Sequence, residues 1–278
     1  MTALSNLSIL HISNVEKFKK ALQYSIKLNV NIIVRDECTA MKNLQINNEL
    51  KIKKLSIPDT SLKVIVIDNF LLDIAPVKSF AHNIAYLNPM FSDNTLFPGM
   101  RDKMPMPYTR LLKDFFETDI FPLISCDAKT QSTFHSSLLS LVTCKPSELN
   151  TNQKMPHVDS CNDNDYAFVH YLSAKELGGT SFYKYTPLNI SEFTAKQKHL
   201  LPEMIQEVAK HSGEHKSYLT STTSVFEQVL TIEAKVNRLI IYPANVLHSA
   251  NLTSEQSYCG DLDKGRLSIS SFASVNNK

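Results

Sequence analysis

A mainly β fold with flanking helices, built as a sandwich or jelly roll, is what the sequence predicts. Three observations carry this: the second half holds a succession of short segments rich in β-branched and aromatic residues, turn signals separate them, and few helix-period stretches intervene. Many short antiparallel strands with few helices bury their apolar faces most simply by stacking two sheets.

The elements follow in chain order. Residues 1–62 read as a leading segment packing on a core domain at 63–278. In it Val15, Phe18, Leu22 and Ile26 share one helical face over 14–28, VNIIV (30–34) reads as a short strand, and Lys51, Lys53 and Lys54 before Pro58 suggest an exposed connection. LKVIVIDNF, from Leu62, reads as a strand. Asp73 can cap a helix whose Val77, Phe80, Ala81, Ile84 and Leu87 fall on one side. A second helix is expected from Tyr108 to Phe121, buried through Leu111, Leu112, Phe115 and Phe116. FPGMRDKMPMP, with its Pro and Gly content, reads as the loop between the two helices.

Six strand candidates come next: 136–143, 166–172, 180–185, 224–232, 237–243 and 267–273, with Gly178-Gly179 separating the second and third. A helical insertion near 191–211, capped by Ser191 and interrupted at Pro202, is expected between strands.

Composition excludes several classes. With 43% apolar and 20% charged residues, 14 Phe and 10 Tyr, the chain has the means to bury a core, which disordered tails lack. A formal charge of +2 with no basic block leaves no footprint for phosphate neutralisation, so no nucleic acid partner is expected. No apolar run approaches the length of a bilayer span, and no membrane association is expected. MTALSNLSIL lacks a basic n-region, so no signal peptide is read. The five cysteines (Cys38, Cys126, Cys144, Cys161, Cys259) form no CxxC pair, which fits a reducing, cytoplasmic setting better than a disulfide scaffold or zinc ribbon.

The chemistry centres on His157-Val158-Asp159. On an extended chain, positions two apart face the same way, so an imidazole and a carboxylate converge. His248, at the end of NRLIIYPANVLHSA, supplies a second imidazole. Two His and one carboxylate form the facial set used by non-haem Fe(II) oxygenases, although zinc takes the same donors. Arg266 opens the last strand, and Ser268 shares its face. A guanidinium there can grip a carboxylate in a fork, with a hydroxyl adding a further bond. Weaker candidates are Asp163 and Asp165 in SCNDND (a solvated loop), Arg101 and Tyr108 (facing substrate or supporting backbone), His199, His211 and His215 (surface) and Cys161 (a spectator). No GxSxG elbow, Gly-rich phosphate loop or HExxH motif is present.

The order His-x-Asp, His, Arg-x-Ser resembles the 2-oxoglutarate-dependent Fe(II) dioxygenases. The likeness is greatest to the prolyl-hydroxylase-type branch and to an uncharacterised bacterial family of 2-oxoglutarate–Fe(II) oxygenases. It spans roughly residues 63–273, through VIVIDNFL, LFPGMR, PHVD, AFVHYL with GGTSFY, NRLIIYPANVLHSA and GRLSISSFA. The resemblance implies a double-stranded β-helix (jelly roll, cupin-like) core. It implies Fe(II) on His157, Asp159 and His248, 2-oxoglutarate as cosubstrate with O2, and Arg266 anchoring the distal carboxylate. Tyr171 matches the tyrosine that also bonds that carboxylate in prolyl-hydroxylase-like enzymes, and Ser268 is a further contact. Strand alternation places Ala167, Val169 and Tyr171 on one face and His170 on the other.

The implied reaction is hydroxylation of an amino-acid or peptidyl substrate, releasing succinate and CO2. Because Asp159 fills the carboxylate position, hydroxylation is favoured over halogenation. For Arg266 to follow His248 at this distance, SEQSYCGDLDKG must form a loop between the last two strands. The competing reading is a cupin-like protein that binds a metal or small ligand without oxidising it.

Overall fold

A computed structural model of the chain describes residues 41–124 and 130–276. The chain divides into two compact units, 1–43 and 44–278. The helix expected at 14–28, the strand expected at 30–34, Cys38 and Cys126 lie outside the described residues.

The second unit is a two-sheet antiparallel jelly roll, a double-stranded β-helix core with helices on the outside. The strands are β1 (Lys51–Ser56), β2 (Lys63–Asp68), β3 (Gly99–Lys103), β4 (Gln131–Val142), β5 (Asp165–Tyr171), β6 (Gly179–Tyr185), β7 (Phe226–Ile232), β8 (Arg238–Pro243), β9 (His248–Asn251) and β10 (Leu267–Asn276). The larger sheet runs β1-β2-β8-β5-β10-β4-β3 and the smaller β7-β6-β9, with every pairing antiparallel. Between the sheets, Val64, Val66, Ala167, Val169, Tyr171, Ile240 and Tyr242 of the larger meet Phe182 and Ile232 of the smaller. Each large aliphatic or aromatic side chain buried there contributes about 1.5–3 kcal/mol.

Among the described residues three α-helices have full ranges: α1 (Ala75–Asn83), α2 (Met106–Phe115) and α3 (Leu201–Lys210). The end of α2, continuing into a π-helical turn over Phe116–Ile120, covers the other face of β5. Phe116 lies edge-on to Phe168 at 4.9 Å between ring centroids, and Phe70 edge-on to His170 at 5.2 Å. Strand β5 is therefore buried on both faces from Ala167 to Tyr171, which explains the apolar and aromatic residues that dominate that stretch.

Three strands differ from the sequence reading. KIKKLS is not a connection but β1, an edge strand almost wholly exposed, whose lysines discourage pairing with another chain. GMRDK, read as loop because prolines flank it, is the opposite edge strand β3, and there Arg101 pairs with Ser140. His248 opens β9 rather than standing before it.

The insertion also begins later than expected. Ser191 caps nothing; Thr194 and Gln197 form a capping box for a 3₁₀ stretch over Ala195–Leu200. Pro202 then sits in the first turn of α3, where no backbone donor is needed, instead of interrupting a helix. Asp73 does accept from the Ala75 N–H at 2.8 Å, one residue outside the assigned cap. The segment between β9 and β10 is a loop with a single 3₁₀ turn at Glu255–Tyr258, as Arg266 requires.

Candidate metal centre

His157 precedes β5 in a stretch without regular strand structure, yet its geometry is strand-like. It pairs with His248 as an isolated antiparallel bridge, each backbone N–H bonding the other's carbonyl at 2.9 Å. Two residues on, the Asp159 N–H donates to the Ala244 carbonyl at 2.9 Å. Chain stretches distant in sequence are thus held in register by backbone bonds, and the side chains follow. One donor atom from each of His157, Asp159 and His248 lies within 4.8 Å of the others. Asp159 reaches 3.6 Å from His157 Nε2 and 3.3 Å from His248 Nε2, and the imidazole centroids are 4.5 Å apart.

The electrostatics favour cation capture. The His248 Nδ1–H donates to the Val246 carbonyl at 2.9 Å, which fixes the tautomer and leaves Nε2 as the lone-pair donor. Burial opposes charge on His248, but Asp159 beside it wins and raises its pKa above 6.5. Desolvation at the cavity wall, then the neighbouring His248, bring His157 down to about 4, although 54% of its side chain faces the open cavity. Asp159, 18% exposed, is held below the usual carboxylate range: burial works against this, and the two histidines and Arg101 outweigh it.

Arg266, Tyr171 and Ser268, expected from the family resemblance to hold a carboxylate, lie deeper. Arg266 is 4% exposed, and its Nη2 donates to the Gly179 carbonyl at 3.2 Å. Its guanidinium stands over the Tyr171 ring at 5.6 Å. Ser268 pairs directly with Tyr171 across β10 and β5. Gly179 has to be glycine because β6 passes close to β7 there: a Cβ would meet the Ile232 carbonyl at 1.9 Å. Two polar atoms in the cluster, Arg266 Nε and Ser268 Oγ, are buried without a hydrogen-bond partner. A buried guanidinium with no carboxylate partner among the described residues is costly unless an external anion completes it.

The Tyr171 hydroxyl shares a 2.7 Å hydrogen bond with Thr180 Oγ1, so the phenol is oriented from the smaller sheet. The sequence reading missed Tyr242, which links the two groups. Its ring packs edge-on to His248 at 4.8 Å. Burial pushes its phenol's pKa well up, Asp159 and Tyr171 add to that, and Arg266 opposes it. Alternation along YPANVLH, with Tyr242 on the face of Ile240, was the signal available.

A cavity of about 720 Å³ opens beside the triad, lined by His157, Asp159 and Arg101 and by carbon surfaces such as Phe97, Met155 and Leu219. Arg266, Tyr171 and Ser268 are not part of its lining. The remaining candidates divide. Arg101 faces the cavity, stacked on Phe97 at 3.9 Å and bonded to Ser140, Asp93 and Thr95. Tyr108 faces away, its hydroxyl 3.1 Å from His170 Nδ1. His215, expected at the surface, is instead buried against Phe226. Asp165, expected in a solvated loop, opens β5 and lines the cavity.

The sequence model of a family described as "Family of unknown function (DUF6445)" matches residues 48–273. The chain belongs to the DUF6445 family. Comparison with the curated proteins found no match. Among solved structures, this DUF6445 chain is similar to HygX from Streptomyces hygroscopicus, solved with nickel, 2-oxoglutarate and hygromycin B bound: 12% identity, TM-score 0.44, 76% of this chain and 81% of that one. It is also similar to the non-heme alpha ketoglutarate dependent epimerase SnoN from nogalamycin biosynthesis, at 15% identity and TM-score 0.36, covering 71% of this chain and 68% of that one. A third, the alpha ketoglutarate dependent carbocyclase SnoK, gives 9% identity and TM-score 0.33 over 89% and 75% of the two chains. Among the described residues, no helix is long and apolar enough to cross a membrane.

Proposed function

We propose that this chain is an Fe(II)- and 2-oxoglutarate-dependent oxygenase that hydroxylates an amino-acid or peptidyl substrate and releases succinate and CO2. The observation that carries the reading is the pairing of two donor sets: His157, Asp159 and His248 fit a cation, and the buried Arg266 and Ser268, each with a polar atom unpartnered by the protein, fit an anion. A metal-binding barrel without oxidative chemistry has no use for the second site.

His157, Asp159 and His248 would hold the iron, with the Val246 carbonyl orienting His248 and Ala244 holding the Asp159 backbone. Arg266 would pair with the distal carboxylate of 2-oxoglutarate, with the Ser268 hydroxyl as a second donor and Tyr171, oriented by Thr180, supporting the guanidinium. When bound, iron with 2-oxoglutarate and O2 supplies oxidative decarboxylation coupled to hydroxylation. The apolar cavity wall excludes water from the substrate, and Tyr242, edge-on to His248, packs beside the triad. Asp159 as a third ligand favours hydroxylation over halogenation, because no ligand position is left for chloride.

Titration of 2-oxoglutarate into the Mn(II)-loaded protein, together with a succinate assay, tests the reading. Binding is expected, with succinate formation lost in His157→Ala and Asp159→Ala. Turnover retained in either variant would remove the ligand assignment. Absence of 2-oxoglutarate binding would leave the cupin-like, non-oxidising alternative.

A further inference from the structure

At one end of β10 a polar chain faces the cavity that neither the proposed metal site nor the proposed Arg266 carboxylate clamp uses. Ser274 Oγ donates to Asp165 Oδ1 at 2.6 Å, and His135 Nε2 lies 2.7 Å from the same Ser274 oxygen. The serine's one proton is committed to Asp165, so His135 is the donor to Ser274 and carries its proton on Nε2. Ser160 Oγ donates to Asp165 Oδ2 at 2.6 Å, and Asn162 Nδ2 to Oδ1 at 3.2 Å.

Backbone pairing aims this arrangement. Phe272 pairs with Ser136 and Ala273 with Phe134, so His135 has no partner on β10 and is the extra residue of a β-bulge. Bulges re-aim a side chain in this way. The chain also adjoins the metal centre: the Ala244 N–H donates to the Asp165 carbonyl, while the Ala244 carbonyl accepts from Asp159 and Ser160.

Charge on the cavity wall is then unbalanced. Arg101 is the only lysine or arginine among the described lining residues, and it already faces Asp93 at 3.3 Å. Asp159 is engaged by the two histidines. Asp165 receives three neutral donors and has no cationic partner among the described residues. Asp165 is half-buried, and a carboxylate without a cationic partner beside carbon surface attracts a cation more strongly than one in open water.

From this we infer that the cavity takes an amphipathic, cationic substrate, with a primary amine seated on Asp165 beside the metal and an apolar body along the wall formed by Met155, Leu201, Met204 and Leu219. This rests on the oxygenase reading only for calling the ligand a substrate; the subsite itself does not depend on iron. His135 and Ser274 position the carboxylate rather than touch the chemistry.

Calorimetric titration of metal-free full-length protein with n-octylamine, n-octanol and octanoate tests it. Octylamine is expected to bind roughly tenfold tighter than octanol, with octanoate weakest. Asp165→Asn should bring octylamine to the octanol level, and Ser274→Ala, which keeps the carboxylate, should retain most of the preference. Equal affinities, an octanoate preference, no binding by any of the three, or an amine preference surviving in Asp165→Asn would each overturn the proposal. If Asp165→Asn fails to fold, Ser274→Ala and the three-probe ranking on the parent protein still decide it. An amine preference combined with no 2-oxoglutarate binding would instead sink the oxygenase reading and leave the subsite standing.

Discussion

Two buried histidines on this scaffold have opposite surroundings. His170, on the helix-covered face of β5, has both ring nitrogens engaged, by the Tyr108 hydroxyl at 3.1 Å and Asn237 Oδ1 at 3.2 Å. His248, 7% exposed between the sheets, spends only Nδ1 on the protein, and Nε2 points at Asp159. Burial alone does not separate a structural histidine from a candidate ligand. The unspent nitrogen beside a carboxylate does, and the same test picks out Arg266 among the arginines: Arg238 is paired to Asp68, while Arg266 is not paired to any acid among the described residues.

The contrast can be broken most severely at the triad. His248→Ala and Asp159→Ala should each lower Fe(II) or Mn(II) affinity by roughly a hundredfold or more and abolish succinate formation, whereas His170→Phe should leave metal affinity unchanged. Metal titration by calorimetry checks this, and equal effects at the two histidines would erase the distinction.

Next in size is the clamp. Arg266→Gln should raise the 2-oxoglutarate concentration for half-saturation by roughly thirtyfold or more, with metal affinity intact, because one partner of a buried charge pair is lost. Arg238→Gln, exposed to no external anion, should not.

The pH dependence sharpens the comparison further. With His157 near 4 and His248 above 6.5, only His248 has a proton to release on metal binding between about pH 5 and 6.5. The logarithm of metal affinity should rise by about one unit per pH unit there; a slope of two would mean both imidazoles start protonated. Stability of the metal-free protein carries the matching sign. The raised pKa of His248 contributes stability below 6.5 that is lost as pH rises through its folded value. The His170 imidazole, brought to about 4 by burial, contributes stability above 6.5 that is lost as pH falls toward 4. The smallest effect belongs to Tyr108→Phe, expected to cost about 1–2 kcal/mol of unfolding free energy in urea titrations without altering metal binding.

How far the sequence announced these features depended on whether the signal was local. Strands β2, β5 and β8 were legible because β-branched and aromatic runs report two-sided burial directly. Strands β1 and β3 were not: edge strands are chosen against apolar pattern, and Lys51–Lys54 and Pro98 with Pro105 reflect that choice. Within the site, His157 and Asp159 stood out by their spacing, and His248, Arg266 and Ser268 by their places at strand ends, while the family resemblance supplied their roles. Tyr242's position beside the triad depends on pairing across three strands, and the aim of His135 on a bulge in β4 that no local spacing records.

The bridge between His157 and His248 has a mechanical side. Those two residues already share a pair of backbone bonds, so an ion held by their rings would rivet the same two segments a second time. Loading the centre should therefore shield the approach segment around Met155–Ser160 from protease and slow its amide exchange, making occupancy readable from cleavage patterns without any turnover.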